Sequence, residues 1–504
     1  MKRATGGAGA GLTVRQLVPI ILFVAILAMA TRQPADTDTW WHLKSGQLMW
    51  QQGRVLRTDP FSHTVAGAPW IDHGWLVQVA LWPLWQAAEL PGLSLLLAAA
   101  VTVVFWLVYH QCEGRPFVAA FATLLGAVAS SVVWALRPQT VSLLLAAVLA
   151  FLLHRYKASG RSRWLWPVPL LVVLWVNSHG GFVIAFLLLG CYLAGEILNR
   201  LTGATAGPAI RPLLLVTLAS LPAILLNPNT WHMVPYAYQT VSIGTLQDFI
   251  QEWASPDFHQ LQLHPFVWLL LLTLAALGLS PRRADWIDLA LVGLFAYMGL
   301  LAVRNVALFA LVAPPVLSRH AVSALDELAH QPRLSWLGAL THTRPAPRPR
   351  RAQGLLNLAL LVLVLVAAGA KIGLDLVGLD EPDVWGEGLP VGAAEYLRET
   401  DLPGRMFNSY NWGGYLIWSL YPEKPVFVDG RTDLYALNSQ VLEDYVLVHW
   451  QRPGWREVFE RYGIGYAVTE RGGLLDVALA GEGGWDEVYG DDVAVVYLRE
   501  GEGL

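Results

Sequence analysis

Charge is the first thing this sequence is short of. Only 14% of its 504 residues are Asp, Glu, Lys or Arg, against about 25% in a soluble globular chain. The shortage is concentrated before residue 380, so most of the chain cannot present an ordinary water-facing surface. Cysteine is scarce too: Cys112 falls in a short loop and Cys191 in an apolar run, which argues against a disulfide framework. The net charge of −4 gives no reason to expect nucleic acid as a partner. His42, His73 and His179 lie far apart, without the spacing of a metal-ligand motif. Ionisable residues are also missing from the middles of the apolar runs, where Glu196, Asp285 and Asp288 fall near one end. Ion-coupled transporters place charge or broken helices at mid-depth, so that class loses ground.

What is present in excess is apolar sequence, 55% of the chain, in runs of the length that crosses a bilayer. Eleven spans are expected, at 14–31, 92–110, 117–135, 139–154, 165–178, 180–199, 213–227, 265–280, 285–302, 304–319 and 355–373. Ala28-Met29-Ala30 resembles a signal-peptidase site, but a retained first helix is expected. Residues 74–89 are apolar yet carry Trp75, Trp82, Trp85, Gln78 and Gln86, a mixture suited to the headgroup interface. With that segment left out as a span, the loops on the N-terminal side of the membrane hold eighteen Lys and Arg. The opposite loops before the last span hold six. By the positive-inside rule the N-terminus and the basic linker 319–354 are cytoplasmic, and loop 32–91 and the C-terminal end are extracytoplasmic. The linker, rich in Pro and Arg around Thr343 to Arg351, is expected to lie unstructured against anionic headgroups. The expectation is a multi-pass protein of the cell membrane, with membrane lipid as a partner. Its domains are a helical transmembrane part over 1–379 and an extracytoplasmic α/β domain over 380–504.

In that C-terminal part, β-like runs at 405–407, 426–428, 465–468 and 493–497 alternate with helix-like stretches at 391–399, 438–449 and 454–462. Candidate chemistry gathers in the extracytoplasmic loops. Asp36-Thr37-Asp38-Thr39-Trp40-Trp41-His42-Leu43 follows the first span. A carboxylate at the membrane surface is placed to deprotonate a hydroxyl, or to share a divalent metal ion with a phosphate. Asp-x-Asp is a weak motif on its own, and a solvated loop with aromatic anchors would look the same. The other candidates for substrate contact are His42, Arg137, His179, Glu252, Asp257 and Arg304, each beside a span on the same side. Arginine at the rim of a membrane cavity suits a phosphate through its planar fork; the plainer reading is snorkelling to headgroups.

Taken together, an Asp-x-Asp after the first span, an interfacial helix before the second, about eleven spans and a C-terminal extracytoplasmic domain resemble the GT-C superfamily. These are polytopic membrane glycosyltransferases that use polyprenyl-phosphate-linked sugars. A group of bacterial multispanning proteins is similar over most of the chain, in segments such as Asp36–Leu43, Asp59–Ser62, Trp175–Phe182, Glu252–Asp257, Arg304–Phe309, Phe407–Leu416 and Val428–Tyr435. The resemblance implies transfer of a sugar from a polyprenyl-phosphate donor to a glycan, lipid or protein acceptor at the outer face. It implies Asp36 or Asp38 as the catalytic carboxylate and leaves a divalent metal ion open. Arg137 or Arg304 would face the phosphate. Asp429, Arg431 and Asp433 are expected either to hold an acceptor or to form a tight turn with a structural ion pair. The alternative from another class is a non-enzymatic lipid-glycan transporter, flippase or assembly scaffold, which would not need Asp36 and Asp38 to face one cavity.

Overall fold

A computed structural model describes residues 12–33, 36–203, 207–243, 251–341, 351–379 and 388–501. The Pro/Arg-rich part of the basic linker and the expected domain junction at 380 lie outside these residues. A helix stands at each of the eleven expected spans. Six are long and apolar enough to cross a membrane, seven if the bent pair Ile210–Leu225 and Thr230–Thr240 forms one span. Val14–Ala30, Phe117–Val133 and Trp286–Leu301 are apolar but shorter.

Local rules account for several helix ends. Val14–Ala30 starts in a capping box: Thr13 Oγ1 accepts from the Gln16 amide, and Gln16 Oε1 accepts from the Thr13 amide. Pro138 opens its helix at a position where no amide donor is needed, with Arg137 extended just before it. Asp285 caps Trp286–Leu301 through the Asp288 amide. Trp75–Gln111 has 37 residues, about 55 Å at 1.5 Å per residue, far beyond a hydrocarbon core of about 30 Å. The backbone breaks at Glu89 (φ 44, ψ −143), which divides the Trp-rich segment from the following span.

The Val306–Ala329 helix is central. Every residue from Val306 to His320 is buried against Phe117–Ser130, His264–Leu279 and Trp286–Leu301. Lipid is as apolar as these side chains, so close packing rather than escape from water holds such helices together. The final helix, Arg351–Gly378, buries only Gly354 and Asn357 and leans on the first, where Asn357 Nδ2 donates to Leu12 O and Lys371 Nζ to Thr31 O.

The C-terminal unit carries a four-stranded sheet in the order β1-β2-β4-β3. The strands are β1 (Arg405–Asn408), β2 (Ile464–Glu470), β3 (Trp485–Gly490) and β4 (Ala494–Arg499). β1 and β2 are parallel and the other pairs antiparallel. Three expected strands are present; β3, polar and half exposed, is an addition. The fourth expected strand, 426–428, is not in the sheet. Asn408 occupies its bonds, accepting from the Phe427 amide and donating to Val428 O. The freed edge of Val426 pairs with the first loop instead: His63 N donates to Val426 O and Val426 N to Phe61 O. The tryptophans of 74–89 also find protein. Trp85 lies 5.3 Å and Trp82 6.3 Å from the Trp418 ring of the C-terminal unit, with Trp40 in the same cluster. Trp75 donates to Asn177 Oδ1.

Candidate active site

Asp38 occupies the N-cap position of the helix Thr39–Gln52, where an Asp side chain ordinarily accepts from a first-turn amide. It makes no such bond. Its Oδ1 accepts from Trp41 Nε1 at 3.0 Å, and its Oδ2 lies 3.4 Å from Arg137. Asp36 accepts the Asp38 amide at 2.8 Å and pairs with Arg137 Nε. Glu252, from a distant loop, reaches the same guanidinium at 3.1 Å. One arginine thus gathers three carboxylates from two loops.

Exposure separates their roles. The Asp36 side chain is 4% exposed, those of Asp38 and Glu252 19% and 32%, so water reaches Asp38 and Glu252 while Asp36 lies behind. Burial raises the Asp38 pKa to about 6, partly offset by Arg137 and reinforced by Asp36. Such a carboxylate is mostly ionised at neutral pH yet basic enough to take a proton. Burial works against the charge on Arg137, but its three carboxylates outweigh it and hold the pKa above the ordinary value.

Arg304 stacks over Trp253, 4.4 Å from the ring centre. Its one hydrogen bond among the described residues is to Gln139 Oε1 at 3.3 Å. Most of its donors are thus uncommitted, whereas Arg137 is held by three carboxylates.

Three imidazoles stand beside these groups. His42 Nδ1 accepts from Gln78 Nε2 at 3.1 Å; the same amide group donates to Asp72 Oδ1 at 2.8 Å, which fixes its orientation. His73 Nδ1 accepts from the Gly180 amide at 3.2 Å. His179 Nδ1 accepts from Gly181 N at 3.0 Å and from the Ser142 hydroxyl at 2.8 Å. Burial lowers all three pKa values. Neutral rings with Nδ1 committed as acceptor must carry their proton on Nε2, so all three offer a donor. His73 and His179 lie 5.3 Å apart and His73 is 5.3 Å from Tyr236, whose hydroxyl donates to Asp433 Oδ2 at 2.9 Å.

Of the residues singled out from sequence, Asp36, Asp38, Arg137 and Glu252 join in one cluster. Arg304 is tied to that cluster's helix through Gln139, and His42 and His179 belong to the adjoining network. Asp257 is not brought in: it is half exposed and accepts from His259. Asp429 and Arg431 form the structural ion pair, with Arg431 also bound to Asp59 at 2.6 Å and every side chain of the trio fully buried. Sequence reading did not assign Asp72, His73, Gln78, Tyr236 or Gly430. Asp72 and His73 sit in a polar turn between Trp70 and Trp75, a signal of the same kind as Asp36 to His42, whereas Tyr236, in an apolar helix, gives none. Among the described residues no three His, Cys, Asp or Glu side chains group as metal ligands do.

No protein-family model matches the chain, and no curated protein matches it in sequence. Solved structures do. The apo crystal structure of the Archaeoglobus fulgidus oligosaccharyltransferase aligns with a TM-score of 0.54 over 91% of this chain and 70% of that one, at 14% identity. The archaeal oligosaccharyltransferase AglB from Archaeoglobus fulgidus, in complex with an inhibitory peptide and a dolichol-phosphate, aligns at 0.57 over 97% and 74%, at 12% identity. At such identities the likeness is one of fold alone: over nearly its whole length the chain shares the fold of these archaeal oligosaccharyltransferases.

Proposed function

We propose that the protein is a membrane glycosyltransferase that moves a sugar from a polyprenyl-phosphate donor to a hydroxyl acceptor at the extracytoplasmic face. The observation that carries this is the convergence of Asp36, Asp38, Arg137 and Glu252 on one partly open site, in a fold shared with an enzyme whose complex holds dolichol-phosphate. Asp38 is the base. It takes the acceptor hydroxyl proton as that oxygen attacks the anomeric carbon, and the bond from that carbon to the phosphate oxygen breaks with its electron pair leaving on the phosphate. Asp36, buried behind it, holds Arg137, and Arg137 aims Asp38. Arg304 and the Nε2 protons of His42 and His179 are donors for the departing phosphate, a fixed stabilisation of the charge that develops there. Glu252 meets the same guanidinium nitrogen as Asp38, Nη1, and beside the base it is an acceptor for a substrate hydroxyl. A divalent ion, if one binds, would share the Asp36 and Asp38 carboxylates.

The test is transfer of labelled sugar from polyprenyl-phosphate donors in proteoliposomes, with the Asp36→Asn/Asp38→Asn double variant as the blank. Transfer by wild type and none by the double variant is expected. Equal rates would overturn the assignment, and no transfer from any donor would move the transporter or scaffold reading ahead. Reporter fusions after Leu43 and after Gly404 should both read extracytoplasmic, and a cytoplasmic signal at either would reverse the orientation. Labelling of cysteines placed along 74–89 should report a segment lying at the interface; ends accessible from opposite sides would make it a span.

A further inference from the structure

Two glycines of the C-terminal unit touch the Asp36–Asp38 turn where a Cβ would force a neighbour to shift. A Cβ on Gly430 would overlap Asp38 Oδ1 and stand 2.7 Å from its Cγ. A Cβ on Gly414 would overlap Thr37 O and lie 3.2 Å from Trp41 Cδ1. Gly430 is not among the glycines with positive φ, so what it supplies is space rather than an unusual conformation. Its chain neighbours are fixed, so the Asp38 carboxylate is what a Cβ there would displace. Asp429 is 0% and Arg431 1% exposed, and Arg431 is bonded at 2.6 Å both to Asp429 and to Asp59 of the first loop. The Tyr435 hydroxyl adds a bond to Asp429 at 2.6 Å.

We propose that Gly430 is a positioning residue, the seat on which the C-terminal unit holds the Asp38 carboxylate beside Arg137. The unit is therefore part of the reaction centre and fixes where the base can reach. This rests on the reading of Asp38 as the base, but the seat itself can be tested without any activity.

The test is a double-mutant cycle on the full-length protein in detergent. Gly430→Ala is made in the wild-type and in the Asp38→Ala background, with Gly483→Ala as control, since a Cβ there meets nothing within 4 Å. In the wild type, Gly430→Ala should lower the Tm by several degrees, and in the Asp38→Ala background, where the occupant is gone, by far less. If Gly430→Ala does not fold alone, recovery of folding in the double variant supports the seat. An equal loss in both backgrounds, or failure to fold in both, overturns it. On sugar transfer, Gly430→Ala should lower kcat at least tenfold with little change in KM, and move the acid limb of the kcat pH profile. Gly483→Ala should behave as wild type. An unchanged kcat and pH profile in folded Gly430→Ala overturns the proposal. Absence of transfer in the wild type would count against the glycosyltransferase reading and leave the stability cycle to decide the seat.

Discussion

Two arginines in this protein are each gripped by carboxylates, and they are built to opposite ends. Arg431 meets Asp429 and Asp59, all three side chains fully buried, with its guanidinium 4.9 Å from the Phe61 ring and 4.8 Å from that of Trp70. Every charge has its partner and nothing can enter. Arg137 meets three carboxylates, is 22% exposed, and leaves Asp38 and Glu252 reachable by water. One cluster is closed, with two carboxylates on one guanidinium and no exposed side chain; the other is open, with three carboxylates on one guanidinium. The closed one welds the first loop to the C-terminal unit, while the open one has carboxylate left over to act on a substrate. At the far end of the bundle a third group, in which Lys157 joins Asp285 and Asp288 and Arg319 joins Asp288 and Glu113, is partly open, since Glu113 is 44% exposed.

The largest effect that could break this contrast is on folding. Arg431→Met should cost about 3–5 kcal/mol, because two buried carboxylates lose their counter-charge. Thermal unfolding measures it, and a near-neutral result would mean the closed cluster is not structural. Arg137→Lys keeps the charge but loses the fork that spans Asp36, Asp38 and Glu252. It should slow transfer about 10- to 100-fold, on the scale of a small misplacement of reacting groups, with a smaller stability loss than Arg431→Met. A rate equal to wild type would show that only charge matters there.

The pH dependence of stability sharpens the comparison further. Burial raises Asp72 to about 7 and Asp38 to about 6, from 3.8. Between about pH 4 and these values the folded state holds protons that the unfolded chain has released, so the stability these two groups contribute should fall as pH rises through that window. The stability of wild type relative to Asp72→Asn, and relative to Asp38→Asn, should each fall as pH rises from about 4 to 7. The buried His42, His73 and His179, whose pKa values are lowered, act in the opposite sense over the same range. The check is therefore the difference between wild type and variant, and a difference that rises with pH would contradict the burial argument. The smallest effect is expected at Arg282, paired with Glu113 where both side chains are nearly half exposed. Arg282→Gln should change stability by no more than about 1 kcal/mol, and a larger loss would place that pair with the closed cluster.

Much of this was legible in the sequence because it rests on local rules. Apolar run length located a helix for each expected span, and period and turn residues located β1, β2 and β4. Asp36, Asp38, Arg137 and Glu252 could be picked out as polar residues at the ends of apolar runs on one side. What could not be read depended on distant partners. Nothing near Val426 says that Asn408 will take its ladder bonds and leave it to His63. Nothing near Trp82 and Trp85 says that Trp418 will meet them. Gly430 looked like an ordinary turn glycine, and its tie to Asp38 spans most of the chain. Asp257 was misleading because an acid beside a span end has the same sequence signature whether it turns inward or, with His259, outward.

The most direct test of the claim that the open cluster exists for chemistry is a single variant measured two ways. Asp38→Asn removes a carboxylate whose charge burial disfavours, so thermal stability at pH 7 should be unchanged or higher. Sugar transfer from a polyprenyl-phosphate donor should fall by about 10²- to 10⁴-fold. A variant that unfolds, or one that transfers sugar at the wild-type rate, would contradict the account.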